Sequence, residues 1–228
     1  MKHHNIVALM PMKAESQRVK NKNFKLLASK PLFHWVYDKL NNIEEIEKII
    51  INTDAPEEKI LTNLKDTSKL IIRKRKNHLI GHEISMNKIL LDDIMNVKSA
   101  IYLMTHSTNP LISEKTLSEA INKFKTIICE NEYDSLFSVT KTQDRFYRSD
   151  ASPINHDPNN LIQTQDLEPW YAENSNLYLF TENSFKANNA RIGKNPFLFE
   201  TSKRETIDID TEDDWSIADR IMSLNEKH

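Results

Sequence analysis

From Ile6 to Thr140 short apolar runs alternate with stretches of helical spacing, and this alternation constrains the fold more than any other feature of the chain. Ile6–Met10, Ile46–Asn52, Lys69–Arg73, Ser99–Met104 and Asp134–Thr140 are too short for buried helices and read as strands. After a turn region over Phe24–Ser29, Pro31 suits the first position of a helix, and Leu32, Trp35, Val36 and Leu40 recur behind it at helical spacing. Pro56 opens a second helix. Ser85–Met95, with Ile89, Leu90 and Ile94 inward, forms a third, and Glu114–Lys125 a fourth. Strands that alternate with helices imply parallel neighbours joined by right-handed crossovers. The expected fold is α/β, a Rossmann-like three-layer arrangement around a mostly parallel sheet.

The alternation stops at Thr142. From there to Asn174 the chain is polar and aromatic, is broken by Pro153, Pro158 and Pro169, and shows no helical pattern. Segments of this length without regular structure usually serve as lids or interface elements. Asn176–Phe180 then reads as a strand, Thr206–Asp210 as a closing strand, and Glu212 to about Leu224 as an amphipathic helix. Residues 1–228 are expected to form one domain, with 142–174 as an extension from it.

Composition narrows the functional classes. The 31 Lys and Arg against 33 Asp and Glu give a net charge of −2, with both signs spread along the chain, so no nucleic-acid partner is expected. Cys129 is the single cysteine, which excludes an intramolecular disulfide framework and a cysteine metal cluster and fits a reducing, cytoplasmic setting. No apolar run approaches the roughly 18 residues that would cross a bilayer, so no membrane partner is expected. His3 and His4, close to the chain end, are expected to be unstructured rather than metal ligands.

Against this background the loop after the first strand stands out. Pro11 ends the strand, having no N–H for a ladder. Lys13, Ser16, Gln17, Arg18, Lys20, Lys22 and Asn23 follow it. Open α/β sheets bind ligands where their strands end, and phosphate oxygens need the cations and the N–H and O–H donors that this loop offers. Gly81 and Gly193 are the only glycines, so no Walker-type or dinucleotide-type glycine fingerprint is available. Near the other end lies I-D-I-D-T-E-D-D-W, Ile207 to Trp215. On a strand, Asp208 and Asp210 would point to one face. Adjacent carboxylates repel unless a cation sits between them, and hard oxygen ligands favour Mg²⁺ or Mn²⁺. The other use of such acids is to cap the helix that follows, for which Thr211, Asp213 and Asp214 are also placed.

The two ends together resemble the acylneuraminate cytidylyltransferase family, the CMP-sialic acid synthetases and their relatives. From Pro11 the pattern P-x-[KR]-x-x-S-x-x-x-x-x-K-N, followed by Lys30-Pro31-Leu32, is similar to that family's P-A-R-x-x-S-K-G-x-x-x-K-N. Lys13 stands for an arginine, Gln17 for a lysine and Arg18 for a glycine. Since glycine permits positive φ and arginine does not, the backbone path at Arg18 is the open point. Ile207–Asp214 resembles I-D-I-D-[TS]-x-x-D. The resemblance implies that Met12, Lys13, Ser16, Lys22 and Asn23 hold CTP, with Arg18 and Lys20 reaching its β- and γ-phosphates. It implies Asp208 and Asp210 as ligands of Mg²⁺ (or Mn²⁺), a catalytic set of Lys13, Lys22, Asp208 and Asp210, and a structural role for Asp214.

Weaker matches lie between these anchors. Asn52-Thr53-Asp54 stands where the family has S-T-D, and Asp54 either orients a loop or ligand or caps the next helix. Arg75 and Ser85 fall on the first and last positions of R-P-x-x-L-A-x-D-x-x-S, which contact nucleotide in the family; Lys76 and His82 replace its proline and acid. Thr105–Leu111 resembles L-Q-P-T-S-P-L-R, so His106 takes the place of an active-site glutamine and Ile112 that of an arginine. Gln163–Leu167 and Glu173–Tyr178 resemble R-x-Q-[DE]-L-P and E-x-N-G-x-x-Y, which implies that Gln163, Gln165, Asn174 and Asn176 meet the acceptor. Gln163 or Thr164 stands for the arginine of that motif.

The reaction this resemblance implies is attack of an acceptor oxygen on the α-phosphate of CTP, releasing pyrophosphate and leaving a CMP-linked product. The implied acceptor is an acidic 2-keto sugar of the sialic, legionaminic or pseudaminic type. The implied assembly is a homodimer, with 142–174 as its lid and dimerisation extension. Because arginines near the sugar carboxylate are replaced, a different acidic acceptor such as a phosphonate is an alternative, as is a non-catalytic nucleotide-binding homologue. A glycosyltransferase using D-x-D fits less well, since its motif would lie mid-chain.

Overall fold

The computed structural model describes residues 5–225, so His3 and His4 lie outside the described residues. In chain order it contains β1 (Ile6–Leu9), a small hairpin of β2 (Leu26–Leu27) and β3 (Lys30–Pro31), α1 (Leu32–Asn42), β4 (Ile46–Thr53), α2 (Glu57–Leu61) and β5 (Leu70–Lys74). Then follow α3 (Met86–Asn96), β6 (Ile101–Met104), α4 (Glu114–Glu130), β7 (Ser135–Thr142), β8 (Trp170–Phe180), α5 (Glu182–Asn188), β9 (Pro196–Glu200) and α6 (Glu212–Asn225). Seven strands form one sheet in the order β5-β4-β1-β6-β8-β7-β9. β8 runs antiparallel to both its neighbours, and the other pairings are parallel. The α/β expectation with a mostly parallel sheet is borne out.

β1 lies at the middle of the parallel part and is buried throughout, which is why its sequence is apolar on both faces. Its alternate side chains feed two different cores. Ile6 and Ala8 pack with Ile49 and Ile51 of β4, Phe33, Val36 and Leu40 of α1, and Leu117, Ile121 and Phe124 of α4. Val7 and Leu9 pack on the opposite face with Ile50, Leu90 and Ile94 of α3, and Phe185 of α5. Helices thus cover both faces of the sheet, giving three layers.

Several expectations need correction. The segment Thr206–Asp210 is not a strand: Lys203–Thr206 is a 3-10 turn, and Ile207–Asp210 is extended chain, held by an Ile209 N–H bond to Thr108 O at 2.9 Å. The strand expected at Asn176–Phe180 begins already at Trp170, because its outer half pairs with Lys141 and Thr142 of β7 in a ribbon that leaves Trp170 to Glu173 exposed and so carries no burial pattern. Helix α5 and edge strand β9 were not expected, and α4 runs on to Glu130, where Asn131 ends it in a left-handed conformation. Between the ribbon strands an arm of residues 143–169 holds a bridge between Tyr147 and Pro153 and a 3-10 turn at Thr164–Asp166. No helix among the described residues is long and apolar enough to cross a membrane.

Candidate active site

The cationic loop starts where β1 ends and is fixed from several sides. Met12 N–H donates to Asn52 O at 3.1 Å, and Arg75 Nη2 donates to Met12 O at 3.0 Å. Asp54 Oδ1 accepts the Ala14 N–H at 2.7 Å, while Asn23 Nδ2 donates to Lys13 O at 2.8 Å. Of the two roles open to Asp54, the geometry shows loop orientation, because α2 has Pro56 at its N-cap and no side-chain cap. Asn23 also accepts the Ser107 hydroxyl at 2.8 Å, tying the loop to the chain after β6. Arg18 is not among the positive-φ residues; the left-handed turn falls at Asn21, with φ 54°, so the loop needs no glycine at position 18.

A third apolar cluster brings the far end of the chain to this loop. Val19, Leu27 and Leu32 pack with Ile209, Trp215, Ala218 and Met222. Ile209 is fully buried between the two aspartates. On extended chain its neighbours turn the opposite way, and Asp208 and Asp210 both line the cavity above the loop. Asp214 is structural in the literal sense. Its Oδ2 accepts the Asp210 and Thr211 N–H groups at 3.1 and 2.8 Å, and Thr211 Oγ1 accepts the Asp214 N–H at 3.2 Å, a reciprocal cap on α6.

The cavity measures about 390 Å³. Met12, Lys13, Ser16, Arg18, Lys22 and Asn23 line it from the loop, Asp208 and Asp210 from the carboxyl-terminal segment, and His106 from the chain after β6. Sequence reasoning did not assign sites to Gln17, His82, Met86, Ser107 or Thr108, which also line it. Ser107 and Thr108 follow His106 directly, so the T-H-S-T run was the signal that could have found them.

Other expected residues lie elsewhere. Lys20 is exposed and outside the lining. Arg75 is 3% exposed, and its guanidinium is taken up by Asn52 Oδ1 at 3.0 Å, Asn52 O at 2.6 Å and Met12 O, behind the loop. Ser85 is the N-cap of α3, accepting the Asn87 N–H at 3.3 Å, and lines a neighbouring cavity of about 240 Å³. Gln163 and Gln165 are exposed on the arm and bond to each other at 2.8 Å. Asn174 Nδ2 donates to the hydroxyls of Thr140 and Thr201 at 3.0 and 2.8 Å, and Asn176 is fully buried. Ser175 between them has φ 60°, the conformation for which the resembling motif uses glycine. Ile112 is fully buried in the core, which accounts for an apolar residue there.

Electrostatics differ between the two aspartates. Asp210 Oδ1 receives Arg18 Nη2 at 2.9 Å and Lys22 Nζ at 3.2 Å, and Lys22 also donates to Ile209 O. Asp208 is desolvated, and burial raises its pKa above the ordinary carboxylate value; the Thr108 hydrogen bond opposes this and Asp210 adds to it. Asp208 Oδ1 is buried without a hydrogen-bond partner. An orphaned carboxylate oxygen next to a second carboxylate is what a hard divalent cation satisfies. No group of three or more His, Cys, Asp or Glu side chains suited to a metal occurs among the described residues. Two carboxylates with phosphate oxygens and water completing the shell is a donor set that Mg²⁺ accepts. Burial, with Arg191 and Lys22 nearby, pushes His106 down to about 4, so its imidazole is neutral at pH 7.

Residues 7–226 match the family described as Cytidylyltransferase, and the chain belongs to that family. It is 26% identical over 239 residues to the CMP-N,N'-diacetyllegionaminic acid synthase of Legionella pneumophila, covering 97% of this chain and 98% of the relative. It is 22% identical over 225 residues to the N-acylneuraminate cytidylyltransferase of Oncorhynchus mykiss, covering 95% of this chain but 50% of that protein. The chain therefore spans about half the length of that relative and of N-acylneuraminate cytidylyltransferase A of Danio rerio, of which 51% is covered. Among solved structures it is similar to CMP:2-keto-3-deoxy-manno-octonic acid synthetase complexed with CTP, with a TM-score of 0.67 at 15% identity over 97% of this chain and 99% of the other. It is also similar to the 4-diphosphocytidyl-2C-methyl-D-erythritol synthase of Anaerococcus prevotii, with a TM-score of 0.69 at 12% identity over 96% of each. These likenesses establish the fold.

Proposed function

We propose that this chain transfers CMP from CTP to an oxygen of an acidic 2-keto sugar and releases pyrophosphate. The observation that carries the reading is the meeting, in one cavity at the end of β1, of a cationic loop and two carboxylates from the opposite end of the chain. The names of the Legionella and Oncorhynchus relatives support the sugar-acid class.

Lys13, Ser16 and Asn23 would take phosphate oxygens, joined by Arg18 and Lys22, which a triphosphate would draw from Asp210. Asp208 and Asp210 would hold Mg²⁺ or Mn²⁺, which when bound offsets the charge that develops on the departing pyrophosphate. In-line transfer at phosphorus asks mainly for positioning and charge stabilisation, and the hydrogen bonds that fix residues 12–14 serve the first of these. His106, at about 4, is too weak a base to take the acceptor proton at neutral pH, and we assign it hydrogen bonding.

The reading includes one catalytic unit with the arm, residues 142–174, as its dimerisation extension. The arm and its ribbon expose Tyr147, Ile154, Leu161, Ile162, Trp170 and Tyr171, an apolar surface that a second copy would cover. A cytoplasmic setting goes with it, since the lone Cys129 is unpaired. The test is pyrophosphate release with Mg²⁺ and CTP, against ATP, GTP and UTP, over a panel of 2-keto sugar acids. Release with CTP and a sugar acid is expected; no binding of CTP would overturn the reading.

A further inference from the structure

We infer that Arg191 is the residue through which this chain recognises the carboxylate of its acceptor. The inference rests on the acceptor being an acid, as proposed above. Such a ligand requires a cation on the side of the site away from the triphosphate, and the other candidates do not supply one. His106 is neutral, Ile112 is core, and Gln163 is uncharged and bonded to Gln165 on the arm. Arg18 and Lys22 belong to the phosphate loop and pair with Asp210.

Arg191 lies just after α5 and lines the cavity of about 240 Å³ together with Ser85 and Glu173. Met86 lines both this cavity and the main one, so the two adjoin. The guanidinium carbon stands 3.9 Å from the centre of the Tyr178 ring, and Nη2 donates to Tyr178 Oη at 3.0 Å. The same ring meets His106 edge to face at 6.5 Å, which brings Arg191 within electrostatic reach of the main cavity. Among the described residues its acidic partner is Glu173, at 3.4 Å through the same Nη2, a long contact to a side chain that is itself 42% exposed.

The contact with the Tyr178 ring and the two bonds from Nη2 anchor the guanidinium. The remaining N–H donors have no protein partner among the described residues. A planar fork held at one corner and free at the other is suited to a bidentate carboxylate. Glu173, which lines the same cavity and is 42% exposed, offers an acceptor for a sugar hydroxyl group. A carboxylate would meet such a fork as a charge-assisted bidentate pair, a stronger match than the neutral acceptors of a cytosine base, and this favours the acceptor on this flank.

The experiment measures pyrophosphate release by the unaltered chain and by Arg191→Gln and Arg191→Lys, with the accepted sugar acid and its methyl ester. Arg191→Gln should raise KM for the acid about 10- to 100-fold, since hydrogen bonds to a charged group are lost, and leave KM for CTP within about twofold. Its preference for acid over ester should collapse, and Arg191→Lys should restore part of it. Circular dichroism and CTP affinity show whether each variant is folded; if Arg191→Gln does not fold, the lysine variant, which keeps the charge but not the fork, should still weaken the acid selectively. An undiminished preference for acid over ester in a folded variant overturns the inference alone. Absence of release by the unaltered chain with CTP and every sugar acid overturns the proposed function, and the inference with it.

Discussion

Arg75 provides the sharpest test of how the cationic loop is built. Arg75 is 3% exposed, and replacing it with Met keeps much of the length while removing the guanidinium and its bonds of 3.0, 2.6 and 3.0 Å to Asn52 Oδ1, Asn52 O and Met12 O. Asn52 O keeps the Met12 N–H at 3.1 Å, so Asn52 Oδ1 and Met12 O are the acceptors left unsatisfied. At about 1–3 kcal/mol for each buried orphan, the loss is about 4 kcal/mol. For a chain of 228 residues this corresponds to a fall in Tm of about 10 °C, at about 2–4 °C per kcal/mol. Calorimetric melting without nucleotide, with CTP titration alongside, reads both consequences. The expected result is a large loss of stability with weakened CTP binding, because residues 12–14 lose one of their supports. A Tm within about 2 °C of the parent, with CTP binding abolished, would show that Arg75 acts on the ligand directly and refute the buttressing argument.

Three further outcomes are expected. Asp208→Asn should lower pyrophosphate release at least about 100-fold while leaving Tm unchanged or raised, since burial already disfavours the charge; full turnover would remove Asp208 from the catalytic set. Asp93 is fully buried against Arg73 and Asn52, at 2.8 and 2.7 Å, and burial, the largest cause, pushes its pKa up from 3.8 to about 6. With the folded value above the unfolded one, its stabilisation is complete below pH 3.8 and is lost as pH rises through about 6, a change of about 3 kcal/mol at 1.36 kcal/mol per pH unit. Urea unfolding of Asp93→Asn should lack that decline, and parallel pH profiles for parent and variant would contradict it. Finally, light scattering should find the parent dimeric and Trp170→Glu shifted to monomer; a monomeric parent would refute the role given to the arm.

What was legible in the sequence is what burial on both sides dictates. Ile6–Leu9, Ile46–Thr53 and Ile101–Met104 are apolar runs because they are central strands, and the helices between them show their inner faces. β9 escaped notice because it is an edge strand that starts with a proline, and α5 because Phe185 is its only large buried side chain. The alternation I-D-I-D looked like a strand, yet it reflects an extended segment with Ile209 in a core and no ladder beside it. In the site, residue type marked the cationic loop and the paired aspartates. It could not show that Arg75 has its partners behind the loop, nor that Arg191 lies over the ring of a tyrosine thirteen positions earlier in the chain.

The hydrogen bond from Lys22 to Ile209 joins residues 187 positions apart. On a ribosome adding roughly 5–20 residues per second, the loop waits roughly 10–40 s for its partner. During that interval β1, β4 and β6 can assemble, while Val19, Leu27 and Leu32 have no Ile209, Trp215 or Met222 to cover them. The nascent protein passes through a stage with a formed sheet, an uncovered apolar patch and a cationic loop lacking its carboxylates. The candidate site is therefore completed last, and the same few side chains that complete it also end the period in which the chain is most prone to aggregate.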